Sequence, residues 1–102
     1  MAGPYIGGVV MEREHIGRVF NYYSKISVAA VQMTAGELRV GDEIVIEGPG
    51  GSLAMRVESM QIEHQPVEKV QAGQSVGLKV PGKVRQGDLV YRVKPAGPEP
   101  RP

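Results

Sequence analysis

Apolar residues along the chain fall in short runs, rich in Val and Ile, that glycine, proline or aspartate interrupts after a few positions. That pattern predicts an all-β domain with tight connections and leaves little room for helix. Strands are expected at residues 16–23, 27–33, 43–47, 53–62, 75–80 and 88–93, six or seven in all. A turn near Ser24-Lys25 joins the first two, and Gly48-Pro49-Gly50-Gly51 reverses the chain between the third and fourth. Residues 63–69 read as a linking stretch, and Ala72-Gly73-Gln74 as a turn. Val28 and Ala30 alternate with Ala29 and Val31, so the second strand is apolar on both faces, as when one face lines a core and a neighbour covers the other.

Two phrases echo one another: Val40-Gly41-Asp42-Glu43-Ile44-Val45 and Gln86-Gly87-Asp88-Leu89-Val90-Tyr91. In each, glycine admits a positive φ and aspartate accepts from nearby backbone amides, so a sharp corner feeds a strand. Two such corners at corresponding strand starts suggest a single small closed β-barrel. Residues 1–14 are expected to be a flexible N-terminal segment, in which Tyr5-Ile6 and Val9-Val10 could form a short added strand. The barrel occupies 15–94. Residues 95–102, with Pro95, Pro98, Pro100 and Pro102, are expected to be a disordered tail.

Composition narrows the chemistry. The 102 residues carry 12 Lys and Arg against 11 Asp and Glu, a formal net charge of +1, so nucleic-acid binding needs a local patch rather than a global field. The absence of cysteine removes disulfides, thiolate metal sites and cysteine nucleophiles together. The first apolar stretch, Val9-Val10-Met11, is broken at once by Glu12, Arg13 and Glu14, too soon for a membrane span, and a cytoplasmic protein is expected.

The run from Ala35-Gly36-Glu37-Leu38-Arg39-Val40-Gly41-Asp42 to Glu43-Ile44-Val45-Ile46-Glu47-Gly48 resembles the second-domain barrel of elongation factor Tu and its relatives. Arg56-Val57-Glu58-Ser59-Met60-Gln61-Ile62 is similar to that domain's long strand, and Ala72-Gly73-Gln74-Ser75-Val76-Gly77-Leu78 to its Ala-Gly-x-x-Val-Gly-Leu phrase. Ile16-Gly17-Arg18-Val19, Tyr22-Tyr23-Ser24-Lys25-Ile26, Ser59-Met60-Gln61-Ile62-Glu63-His64 and Val84-Arg85 with Gly87-Asp88 resemble more closely small elongation-factor-like proteins and the C-terminal barrel of collagenase-like peptidases. The resemblance runs from about residue 15 to residue 93 and implies a translation-factor-type barrel.

Neither parent activity comes with it. No Gly-x-x-x-x-Gly-Lys-Ser/Thr loop is present to cradle GTP phosphates, and the catalytic portion of the peptidases is missing from the matched region. In the elongation-factor relatives this domain contacts the acceptor end of aminoacyl-tRNA, so the resemblance implies an RNA-facing surface around Gln61 and the following turn. Gln61 stands where elongation factor Tu has an acidic contact residue.

His15 and His64 each neighbour a glutamate, but two histidines without a third His or Cys make an incomplete zinc set, and no metal or other cofactor is expected. A serine hydrolase built from Ser59, His64 and Glu63 lacks a strained turn to present the serine, and Glu63 and His64 would point to opposite faces of a strand. Met55 and Met60 read as core fillers, and one of Tyr22 and Tyr23 should face outward. The candidate RNA or partner contacts are Arg18, Tyr22, Arg56, Gln61, His64, Lys79 and Arg85. The expectation is a non-enzymatic module that contacts tRNA, rRNA or a translation component. The alternative is an interaction subunit for a separately encoded collagenase-like peptidase or RNA-modification enzyme.

Overall fold

Glycine and aspartate corners divide the chain into short extended segments, and in the computed structural model every regular element among the described residues is a strand. The structure describes residues 5–6 and 9–95, with side chains over 12–93. The expectations for residues 1–4, 7–8 and 96–102, most of the Pro-rich tail among them, lie outside the described residues.

The elements are β1 (Tyr5–Ile6), β2 (Val9–Tyr23), β3 (Val28–Met33), β4 (Glu37–Arg39), β5 (Glu43–Gly48), β6 (Gly51–Arg56), β7 (Met60–Ile62), β8 (Gln65–Val67), β9 (Lys69–Gln71), β10 (Ser75–Lys79) and β11 (Leu89–Pro95). The main sheet is antiparallel in the order β6-β5-β11-β2-β3-β10-β7-β8, with β1 added to β2 and β4 paired separately with β9. The all-β class is as expected. The ladders form a path whose two ends, β6 and β8, are not paired to one another among the described residues.

Three differences from the sequence reading have physical causes. First, β2 begins at Val9 rather than Ile16, so the boundary drawn at residue 14 falls inside a strand. Glu12, Arg13 and Glu14 show no apolar alternation because this part of β2 is a ribbon with β11, held by backbone pairing that sets Glu14 opposite Arg92. Pro95 likewise pairs in register with Met11 and belongs to β11. Second, the strand expected over 53–62 is two, β6 and β7. Val57 is captured by the Gly41-Asp42 corner, donating to the Asp42 carbonyl at 2.8 Å and accepting from Gly41 N–H at 2.7 Å, and the chain bends there. Third, eleven strands stand among the described residues where six or seven were expected. The surplus lies chiefly in the three-residue strands β4, β8 and β9, whose pairing depends on partners that local composition does not reveal.

The core is aliphatic, with Ile16, Val31, Leu38, Ile44, Met60 and Leu78 all fully buried, and Met55 buried beside them. Each such side chain contributes roughly 1.5–3 kcal/mol relative to exposure. Leu38 and Val70 face one another across β4 and β9, so this small ribbon turns a buried pair inward. Gly17 lets β2 and β3 approach closely, because a Cβ there would meet the Gln32 carbonyl oxygen at 2.5 Å.

The two Gly-Asp corners are the same structure twice. In Arg39-Val40-Gly41-Asp42 and Arg85-Gln86-Gly87-Asp88 the aspartate Oδ2 accepts from the arginine N–H at 2.9 Å, and the aspartate N–H returns to the arginine carbonyl at 3.1 Å. Both glycines have positive φ, 99° and 96°. Both corners then grip a distant valine through a reciprocal pair of backbone bonds: Gly41 and Asp42 hold Val57, and Gly87 and Asp88 hold Val19, at 2.7 and 2.8 Å in each case. The echo in the sequence is thus a repeated staple.

Candidate functional site

In the middle of the outer face of β3 and β10 the side chains are small. Ala30 and Gly77 sit opposite one another in register, and Gln61 follows on β7. Small residues in mid-sheet leave a depression, a cleft of about 480 Å³ walled by Tyr23, Ile26, Val28, Glu63 and His64.

One wall is the β2–β3 turn. Tyr23 is 48% and Ile26 57% exposed, the two most exposed large apolar side chains among the described residues. The turn is held from two sides, by Val80 N–H donating to the Ser27 carbonyl at 2.8 Å and by Lys79 Nζ donating to the Ile26 carbonyl at 2.8 Å. Asn21 Nδ2 donates to the Tyr23 hydroxyl at 3.1 Å.

The other wall is the two-residue turn between β7 and β8, where Ile62 pairs with Gln65. Glu63 and His64 both have positive φ, 51° and 64°. Two successive left-handed residues twist a hairpin correctly, but asparagine and glycine are the usual occupants, and other side chains cost on the order of 1–2 kcal/mol each. Strain of this kind concentrates where side chains are held for use. This turn also corrects the expectation that Glu63 and His64 diverge: off the strand, both line the cleft.

The seven candidate contacts are dispersed. Gln61 and His64 meet in the cleft, and Lys79 braces its far wall. Tyr22 is half-buried against the core, and a register shift between Val19 and Asn21 accompanies the outward placing of Tyr23, which is the tyrosine in the cleft. Arg18 is exposed on β2, opposite Gln32 and Leu89. Arg56 binds Glu43 Oε1 through Nε and Nη2, both at 3.2 Å. Arg85 lies in a different cleft, with Lys83 and the β5–β6 turn. Tyr23, Ile26 and Glu63 were not among the candidates. Ile26 had a signal, an aliphatic residue alone in the polar turn Ser24-Lys25-Ile26-Ser27.

His15 packs against Tyr91 with ring centroids 5.4 Å apart and planes tilted by 46°, and Ser59 lines a third cleft, away from His64. Among the described residues no three His, Asp or Glu side chains gather as a metal site, and no helix is long and apolar enough to cross a membrane.

The cations divide into two sets. Arg13, Arg39, Arg56, Lys69 and Arg92 form ion pairs with Glu47, Glu37, Glu43, Glu37 and Asp42 respectively. Arg92 also donates to the Glu37 carbonyl at 2.8 Å, tying β11 to β4. Arg18, Lys25, Lys79, Lys83 and Arg85 have no carboxylate within 4.0 Å among the described residues. Arg18 lies within β2, Lys25 on the β2–β3 turn, and Lys79, Lys83 and Arg85 along residues 79–88, which begin against Ser27 and end against Val19.

No protein-family model matches the chain. A collagenase of Porphyromonas gingivalis is 39% identical over 89 residues, covering 86% of this chain and 22% of the collagenase. An elongation factor 1-alpha of Hyperthermus butylicus is 32% identical over 80 residues, covering 72% of this chain and 18% of the factor. The chain therefore spans about a fifth of the length of the curated relatives it matches. In fold it matches the C-terminal domain of a U32 peptidase from Geobacillus thermoleovorans, with a TM-score of 0.72 at 23% identity, over 78% of this chain and 91% of that domain. The twofold resemblance read from the sequence is found in these comparisons: the chain is similar to segments of collagenase-like peptidases and of translation elongation factors.

Proposed function

We propose that this chain is a non-enzymatic, cytoplasmic binding module, a translation-factor-type β-barrel that takes single-stranded RNA, such as the end of a tRNA or an unpaired rRNA segment, across the cleft between the β2–β3 and β7–β8 turns. One observation carries the reading: Lys25 lies on the β2–β3 turn that walls the cleft and Lys79 is bonded to that turn, and neither has a carboxylate within 4.0 Å among the described residues. A net charge near zero thus conceals a local positive field, and phosphates are drawn to such a field. Tyr23 and His64 supply flat faces on which a splayed base can stack, and Gln61 supplies a donor and an acceptor for its edge.

Fluorescence anisotropy with labelled single-stranded RNA and with tRNA, repeated over a range of salt, tests this. Binding that weakens linearly with the logarithm of salt, and falls on Tyr23→Ala or His64→Ala, supports it. No binding at low salt to either probe overturns it.

A second reading rests on the exposed apolar side chains of Tyr23 and Ile26 and on the similarity to a collagenase. The same cleft would then receive a separately encoded peptidase-like or RNA-modifying enzyme. Co-purification that recovers such an enzyme with the parent protein, and loses it with Ile26→Asp, favours this reading over the RNA one.

A further inference from the structure

The turn between β5 and β6 carries the sequence Gly48-Pro49-Gly50-Gly51-Ser52, and it faces Lys83 and Arg85 across a cleft of about 280 Å³. We infer that this cleft is a phosphate-binding subsite, distinct from the cleft walled by Tyr23 and His64. Four observations converge on it.

Lys83 and Arg85 are both exposed and have no carboxylate within 4.0 Å among the described residues, in a chain where five other cations do. The one acid that lines the cleft, Asp88, is only 8% exposed; its Oδ2 accepts from Arg85 N–H, and its carboxylate packs against Gly48. It is spent on the corner, and the cleft keeps a net positive charge. The Arg85 guanidinium carbon lies 3.9 Å from where a Cβ of Gly50 would stand, so the cation is already seated over a residue with no side chain to block approach. Gly50 N–H, finally, makes no hydrogen bond to another described residue.

Two positive side chains, a free amide and a serine hydroxyl around an indentation of this size suit a tetrahedral oxyanion. Glycine turns bind phosphate in this way because their backbone approaches the ligand unhindered, and a guanidinium matches two phosphate oxygens at once. The phosphate can belong to an RNA backbone or to a free nucleotide, and the chemistry of recognition is the same. The subsite goes beyond the RNA reading and does not depend on it.

Amide chemical shifts of the intact protein test it. Inorganic phosphate, adenosine monophosphate and a short single-stranded RNA are titrated in turn at constant ionic strength, with chloride as the control. Saturable shifts at Gly50, Gly51 and Ser52 support the subsite, and the tightest of the three probes identifies the source of the phosphate. The Lys83→Ala, Arg85→Ala double variant should lose at least tenfold in affinity while keeping a folded spectrum, and Lys83→Arg should retain binding. The inference is overturned if no phosphate probe moves these amides more than chloride does, or if the double variant responds as the parent does. Shifts at Ala30, Gln61 and Gly77 report the other cleft separately, so either site can fail alone.

Discussion

Asp88 occupies the space that a side chain at residue 48 would need. A Cβ on Gly48 would come within 2.6 Å of the Asp88 Cγ, and the aspartate is fixed there by its bond from Arg85 N–H. Gly48→Ala should therefore cost about 2 kcal/mol, the cost of forcing atoms into a filled space. Urea unfolding measures it. Because Asp88→Ala vacates that space, the double variant should be more stable than the sum of the single losses predicts, a coupling that a double-mutant cycle reads directly.

The repeated corners should not be equally sensitive. Asp88 is buried and Asp42 is half-exposed, yet each accepts the same arginine amide. Removing a buried acceptor strands its donor away from water. Asp88→Ala is expected to destabilise by about 2 kcal/mol and Asp42→Ala by about 1 kcal/mol, as shifts in the urea midpoint at unchanged slope.

Strain in the β7–β8 turn gives a prediction in which stability and binding move in opposite directions. His64→Gly relieves a left-handed φ of 64° and should stabilise the fold by about 0.5 kcal/mol, the relief exceeding the entropy that glycine adds to the unfolded chain. It also removes an aromatic face from the cleft, so RNA affinity should fall about tenfold. Thermal unfolding and anisotropy on the same preparation check both halves.

Exposed walls can be removed without touching the core. Tyr23→Ala and Ile26→Ala should each change stability by less than about 0.5 kcal/mol. Loss of a stacking face at Tyr23 should weaken single-stranded RNA binding about tenfold. An unfolded Tyr23→Ala protein would contradict the exposure that the structure assigns to this ring.

The salt dependence of RNA binding should sort the cations. Replacing Lys25, Lys83 or Arg85 by alanine should lower the salt slope by about one each, since each is free to meet a phosphate. Arg56→Ala should change it least, because Glu43 already holds that charge.

What the sequence disclosed follows from the range of the interactions involved. The corners at Gly41-Asp42 and Gly87-Asp88 were legible because glycine, aspartate and the arginine amide that closes each turn lie within four residues. The extent of β2 was not, because Glu12, Arg13 and Glu14 become strand through pairing with β11, some eighty residues away in sequence. The break at Val57 had the same character, set by the first corner and invisible in the run Met55-Arg56-Val57-Glu58. At the site, Gln61 and His64 were found through resemblance, while Tyr23 replaced Tyr22 because a bulge, not the alternation of the strand, decides which ring faces out. Lys83 and Arg56 exchanged importance once ion pairing was visible, since pairing depends on which carboxylate the fold brings near.

The repeated staple also bears on the order in which the chain can assemble. Gly41 reaches Val57 across about 16 residues, whereas Gly87 reaches Val19 across about 68, a difference in loop-closure entropy of roughly 1.3 kcal/mol against the second. The first staple closes a local hairpin of β5 and β6 whose pairing needs no distant strand to meet first. The second joins the two ends of the described chain and can close only once β2 and β11 have met. Folding is thus expected to proceed from a hairpin-sized nucleus to a late, chain-wide closure. A weakened Asp88 corner should then speed unfolding more than it slows refolding, while a weakened Asp42 corner should do the reverse.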